Sequence, residues 1–444
     1  MLTIFPVIMV MRQTTRFIKN QLHYKFGKSN FISVSKKFTT LHFLETGMRE
    51  TIRKEVAELL ENAIELRHRF HEIPEKSFEE KKTAQLVAHE LRKMGLTVEE
   101  GLAGTGVATT IQGERVGNTV ALRADMDALN IEEETSTPYA SKHKGFSHCC
   151  GHDGHIVCAL ETTRVLVRLR KQLAGSVRVI FQPGEENGTG AQEMINADAL
   201  GSPLPSAIFA LHAWPHLESG VVASKSGLIT SAIDYFRITV KGKGGHGARP
   251  HESISPIIGI ARITENISAL SGKGDHDTPP CAVSVGMISG GKQSNVIPDH
   301  AAIEGTIRSL NETDRQQTVE RFSSMVKTIC SKERLGFDID FLKYCPPVQN
   351  HPDLYHLFEK VGAELIIPEK RAYITEQSMG SEDFGNFTQL LPGLLIRLGM
   401  GSSSPQLHTS KFDFSDASLE TGITILVGLA MKATETDFKI GLGQ

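Results

Sequence analysis

The apolar run Val177-Arg178-Val179-Ile180-Phe181 is short for a helix and stops at Pro183-Gly184, where two adjacent carboxylates, Glu185 and Glu186, follow. Such a run reads as a buried strand of a largely parallel sheet. Groups just past the carboxyl end of such a strand stand where ligands gather in open α/β sheets. Two more predicted strands end in ligating residue types: 119–123 leads to Asp125 and Asp127, and 207–211 leads to His212. Three such ends outweigh chance placement of loop acids.

The segments between them have helical periodicity. Ile52, Val56, Leu59, Leu60 and Ile64 share one face of a helix beginning near Arg49,. Ser77 and Glu80 read as a capping box for a second helix that Gly95 ends,. A further helix is expected over 155–173. This alternation predicts an α/β domain with a largely parallel sheet flanked by helices. From 228 to 347 the order becomes strand 235–241, helix 255–270, strands 282–288 and 301–310, helix 314–333 and strand 337–342, that of a ferredoxin-like βαββαβ module,. A helix over 353–365, a strand over 394–398 and a helix over 416–432 then resume the α/β pattern. The expected organisation is an N-terminal extension (1–47), a catalytic domain in two parts (48–227 and 348–444), and the module inserted between them (228–347).

Composition narrows the partners. A net charge of -3 over 444 residues gives no basic field for nucleic acid,. No apolar run is long enough to span a bilayer, so no membrane partner is expected. The substrate should be small. Six cysteines (149, 150, 158, 281, 330 and 345) lack framework spacing, which fits a reducing compartment,. The first 44 residues hold no Asp or Glu but carry Arg12, Arg16, Lys19, Lys25, Lys28, Lys36 and Lys37. That composition suits a presequence for the mitochondrial matrix, with a cytoplasmic protein or a secretory and ER route as alternatives.

Cys150 and His152 lie two residues apart in a glycine-containing loop before a helix, whose N-terminus should lower the thiol pKa,. No second short-spaced Cys or His pair supports a zinc finger. Of Glu185 and Glu186, one can bind a cation while its neighbour moves a proton. His212 and His408 draw their weight from this set. The glycine-rich stretch 242–251 carries His246 and His251, and reads either as a loop delivering an oxyanion donor or as an exposed hairpin connection,. Asn295 and Arg308 are candidates to hold a substrate carboxylate.

Together, Arg123-Ala124-Asp125-Met126-Asp127, Cys150-Gly151-His152-Asp153-Gly154-His155, Gly184-Glu185-Glu186, Leu211-His212, Gly244-Gly245-His246-Gly247-Ala248 and Leu407-His408 with Phe412-Asp413-Phe414 resemble the amidohydrolase branch of the two-domain co-catalytic metallopeptidases. That branch contains hippurate hydrolases, N-acyl-amino-acid amidohydrolases and auxin-conjugate hydrolases. The resemblance implies two divalent ions per subunit, manganese or zinc with cobalt as a third choice, held by Cys150, His152, Glu186, His212 and His408. It makes Cys150 a bridge and Glu185 the general base. It also places Asp127 behind the ligands, His246 across a homodimer interface formed by the insert, and Asn295 and Arg308 at the substrate. Asn130, Cys149, Ile156, Val157, Ser255 and Ser410 depart from the usual residues, which bears on pocket shape and leaves every ligand in place. The implied reaction is hydrolysis of N-acyl amino acids to a carboxylic acid and a free amino acid. Rivals are a dipeptidase or carboxypeptidase of the same fold, a non-catalytic carboxylate-binding protein, and a thiol hydrolase using Cys150 and His152.

Overall fold

The computed structural model describes residues 31–272, 280–375 and 377–441, with side chains from Gly47 onward except that of Ser268. Most of the expected presequence therefore lies outside the described residues. The chain forms two compact units that meet in sequence after Lys54. The first is helical from Phe31, within the helix Phe31–His71. The second holds both large sheets.

Its larger sheet runs in the order Val98–Leu102, Gly106–Gln112, Ala174–Gln182, Arg115–Asp125, Ile208–Trp214, Gly393–Gly399, Gln349–Asn350 and Gly227–Leu228, with two short strands branching from Gly393–Gly399. The four central strands pair in parallel, as expected of runs buried on both faces,. The helices His152–Arg168 and Leu419–Ala433 pack on one face, where Leu211 and Leu398 point. The short helices Gly190–Asn196 and Gly385–Thr388 cover Ala121, Ile180, Ile208, Ala210 and Leu395 on the other.

The insert is a four-stranded antiparallel sheet in the order Cys281–Gly290, His300–Ser309, Ala232–Lys241, Gly336–Cys345, the order of a ferredoxin-like module,. The helices Pro256–Ile267 and Glu312–Lys332 bury Ile260, Ile263, Phe322 and Val326 against Phe236, Ile238, Val240 and Ile303. Gly245–His246 pairs with Val296–Ile297 as a small ribbon, which gives part of the glycine-rich loop a fixed conformation.

Four expectations need correction, the first being that the helix expected from near Arg49 already begins at Phe31. The second helix starts at Lys81, and Ser77 and Glu80 make no capping box because both side chains turn toward the acidic turn described below. The helix expected over 155–173 spans His152–Arg168, since Gly151 in the left-handed region starts it early and a turn at Leu169 closes it. His212 sits within the strand Ile208–Trp214 and not after it. Among the described residues no helix is long and apolar enough to cross a membrane.

Candidate metal centre

Asp127, two residues past the strand Arg115–Asp125, organises the centre. Its carboxylate accepts hydrogen bonds from the backbone N–H groups of Glu185 (3.1 Å) and Glu186 (3.0 Å) and from Ser77 Oγ (2.6 Å). Glu80 accepts from Gly184 N at 3.0 Å and from Thr105 Oγ1 at 2.5 Å, so the segment expected to form a capping box instead clamps the acidic turn from outside. Gly184, with φ at +68°, has no room for a side chain: a Cβ there would lie 2.5 Å from the Phe78 ring. Both adjacent carboxylates are thereby fixed by backbone.

His152 donates Nδ1–H to the Asp127 carbonyl at 2.8 Å, and His212 donates Nδ1–H to the Ala213 carbonyl at 2.8 Å. Each ring is left presenting Nε2 to the centre, the usual division of labour in a ligating histidine. His212 Nε2 lies 3.5 Å from Cys150 Sγ, and His408 Nε2 lies 3.3 Å from the same sulfur and 3.3 Å from Glu186 Oε1. His152 Nε2 is 3.9 Å from Glu186 Oε1. His408 holds a left-handed backbone (φ +61°), tied down by its N–H donating to the Cys149 carbonyl at 2.8 Å. A strained residue of that kind costs on the order of 1 to 3 kcal/mol and persists only where its surroundings hold it.

Among the described residues five donor groups result, and two of them share the Cys150 sulfur. Cys150, His152 and His212 form one, Cys150, Glu186 and His408 the other, and the sulfur belongs to both. A further set, Asp125 with His152 and His155, is geometrically close but unavailable. His155 Nε2 already accepts from Ala213 N at 2.7 Å, and its Nδ1–H donates to Asp125 at 2.7 Å.

The electrostatics follow from burial and carboxylate crowding. Burial raises the Cys150 thiol well above its ordinary value, and Glu186 and Glu185 add to it, which overturns the expected lowering by the helix terminus. Burial acts to lower His152, but Asp125 and Asp127 outweigh it and raise the ring to about 10. His212 falls to about 3 through burial and the neighbouring His155. Burial and the carboxylates of Glu382, Glu186 and Asp383 push Glu185 well up. Cations in the centre would lower all four values, opposing the rise at Cys150, His152 and Glu185 and adding to the fall at His212.

The residues fit a pair of cations. His152 Nε2 and Glu186 Oε1 are buried without a hydrogen-bond partner. An unsatisfied buried atom costs about 1 to 3 kcal/mol, and thiolate, imidazole and carboxylate donors together form a recognised ligand set for divalent transition metals.

Sequence reasoning missed a second buried layer. Arg123 pairs with Asp125 (2.6 Å), Asp383 (3.0 Å) and Glu382 (3.1 Å), and Gln182 and Ala191 N also bind Asp383. The triplet Ser381-Glu382-Asp383 carried the only local signal. A cavity of about 370 Å³ opens over the centre, lined by Glu185, Glu186, Tyr235, Arg308, Arg397 and His408 among others. Arg308 therefore reaches the cavity over the centre. His246 and Asn295 do not: both are exposed at the ribbon, and neither lines this cavity.

The model of peptidase family M20/M25/M40 matches residues 121–432. Thermostable carboxypeptidase 2 of Saccharolobus solfataricus is 36% identical over 392 residues, covering 86% of this chain and 98% of that protein. N-acetylcysteine deacetylase of Bacillus subtilis is 33% identical, covering 84% and 97%. The crystal structure of the Bacillus subtilis YXEP protein, described as a dinuclear metal binding peptidase, superposes with a TM-score of 0.74 at 30% identity over 86% of this chain and 99% of that one. With the five expected ligands gathered at one point of the same fold, the chain belongs to peptidase family M20/M25/M40 and is a metal-dependent hydrolase.

Proposed function

We infer that the protein hydrolyses the amide bond of N-acyl amino acids, releasing a carboxylic acid and a free amino acid. The observation that carries this reading is the Cys150 sulfur shared by two donor groups with the buried Glu185 carboxyl beside them. Similarity to a deacetylase of an N-acyl amino acid and to a dinuclear peptidase supports it.

Cys150, His152 and His212 would hold one divalent ion, and Cys150, Glu186 and His408 the other. Such a pair supplies Lewis acidity toward the amide carbonyl and a water acidic enough to attack it at neutral pH. The thiolate and imidazoles suit zinc, the carboxylate suits manganese, and cobalt is a weaker third choice. Glu185 takes the proton of the attacking water on its carboxylate and passes it to the leaving nitrogen. Its backbone hydrogen bond to Asp127 keeps the carboxyl over the cavity during both transfers. Arg308, whose Nη1 donates to Met379 O (3.0 Å) and Ser381 Oγ (3.3 Å), has no carboxylate within ion-pair distance among the described residues and receives the substrate α-carboxylate,.

His246 stabilises the developing oxyanion from a second copy of the chain. Support comes from its exposure away from its own cavity and from the edge strand Cys281–Gly290 of the same insert, where Met287 and Ile288 are 61% and 60% exposed,. Asn295, paired beside it, belongs to the same contact. The resulting assembly is a homodimer through the insert.

Two rivals are weakened. A thiol nucleophile needs a depressed pKa, and Cys150 is raised,. A scaffold without turnover has no use for a buried proton carrier at Glu185. Similarity to the carboxypeptidase keeps peptide substrates as the second reading. The deciding experiment is a panel of N-acyl amino acids and C-terminally varied peptides assayed after chelator stripping and reloading with Mn, Zn or Co. N-acyl amino acids should be the better substrates, with activity lost on stripping and regained on reloading. Turnover that survives the chelator, or is confined to peptides, contradicts the proposal.

A further inference from the structure

Buried guanidinium groups in this protein come with carboxylates. Arg67 contacts Asp153 (3.0 Å), Asp413 (2.8 Å) and Asp416 (2.5 Å), Arg123 its three acids, and Arg178 Glu99 (2.9 Å). Arg397 breaks the pattern. It is 7% exposed, and its Cζ sits 3.8 Å from the centroid of the Trp214 ring. Its Nη2 donates to the Ile229 carbonyl at 3.4 Å, and among the described residues no carboxylate lies within ion-pair distance. Burial alone lowers its pKa to about 10, so it stays charged at neutral pH. A buried, unpaired charge is costly to keep.

Its position gives the charge a use. The strand Gly393–Gly399 runs parallel to Ile208–Trp214 with Arg397 opposite His212, so arginine and metal-ligand candidate leave the sheet on the same face,. Both line the cavity. The Trp214 ring supports one face of the guanidinium and leaves its edge, apart from the Nη2 bond to Ile229, to make bidentate contact with a carboxylate in the cavity,. Arg308, on the insert, reaches the same cavity and, among the described residues, also has no carboxylate within ion-pair distance. The α-carboxylate of one N-acyl amino acid answers only one of these two charges.

We propose that Arg397 seats a second substrate carboxylate, so that the preferred substrates are N-acyl amino acids bearing one carboxylate beyond the α-carboxylate. This rests on the amide-hydrolase reading. The extra group belongs either to an acidic amino-acid side chain or to a dicarboxylic acyl group. The test compares N-acetyl-leucine, N-acetylglutamate and N-glutaryl-leucine on the metal-loaded wild type, Arg397→Met and Arg397→Lys, with glutarate binding followed by calorimetry. A charge-assisted bidentate contact corresponds to roughly a 10- to 100-fold preference in kcat/KM. That preference should favour one of the two dianions, show on which side of the amide the group lies, and collapse in Arg397→Met with partial retention in Arg397→Lys. Glutarate should bind Arg397→Met about tenfold more weakly. If wild type cleaves N-acetyl-leucine without preferring either dianion, or Arg397→Met lowers all three substrates alike, the second seat is refuted and the hydrolase reading stands. If no N-acyl amino acid is cleaved, that reading fails, and glutarate binding still decides: weakening on Arg397→Met supports the seat, and unchanged affinity overturns it.

Discussion

The metal centre and the ribbon of the insert both carry imidazoles assigned to the same amide bond, and they differ in how firmly the fold holds them. His152 and His212 are fixed by backbone carbonyls at one nitrogen and face buried donors with the other. His246 stands exposed on a two-residue strand, its Nδ1 accepting from Ala248 N at 3.1 Å. The parallel sheet converges its strand ends on one point and can assemble a complete ligand set within one chain. The insert presents its imidazole outward, away from the cavity of its own chain.

Replacing Glu185 with Gln should have the largest effect. Turnover is expected to fall about a hundred- to ten-thousandfold while metal content stays unchanged, as losing a positioned proton carrier predicts. Substantial residual turnover would remove Glu185 from the mechanism. His246→Ala should cost on the order of a hundred- to a thousandfold, the scale of one oxyanion donor, again with full metal loading. Mixing the Glu185→Gln and His246→Ala proteins under conditions of subunit exchange sharpens the contrast. Hybrid dimers should regain activity through one site that has both groups, and an inactive mixture would place His246 in its own chain's site or outside catalysis. Asp127→Asn turns an amide NH2 toward a backbone N–H that now has an acceptor, so metal affinity should drop about 10- to 100-fold,. Equilibrium dialysis against a competing chelator reads this directly, and unchanged affinity would deny Asp127 its organising role.

The smallest effect concerns the support behind His152. His71 Nδ1 lies 2.8 Å from Asp153 and Nε2 3.3 Å from Glu133. Burial acts to lower its pKa, but Asp153 and Glu133 outweigh it and raise the value from 6.5 to about 10. A raised folded-state pKa means that the contribution to stability is complete below pH 6.5 and fades as pH climbs through about 10,. The melting-temperature gap between wild type and His71→Gln should therefore be widest near pH 6.5 and close toward pH 10. A gap that widens with pH would reverse the assignment.

Glu185, Glu186 and His212 were legible in the sequence because they stand at strand ends, and Cys150 and His152 because they share a glycine-containing loop before a helix, whereas His408 gained its weight only from the set and the family resemblance. The insert was equally plain, since six alternating elements admit few topologies. What stayed hidden depends on distant partners. Arg123 and Asp383 are 260 residues apart, and nothing local in either announces the other. Ser77 and Glu80 have the spacing of a capping box, yet the acidic turn more than a hundred residues on takes the Glu80 side chain. Arg397 lies inside an otherwise apolar strand, where only the sheet register shows that it faces His212. The helix starting at His152 was misplaced by three residues because a left-handed Gly151 is not visible in a hydrophobic pattern.

Metal stoichiometry tests the central claim most directly, because the Cys150 sulfur belongs to both donor groups. Stripped protein dialysed against buffered zinc or manganese and analysed by elemental analysis should hold two ions per chain, and Cys150→Ser, with its fold intact, should lose affinity for both. Wild type that takes up a single ion, or a Cys150→Ser variant that still binds two with unchanged affinity, would contradict the account.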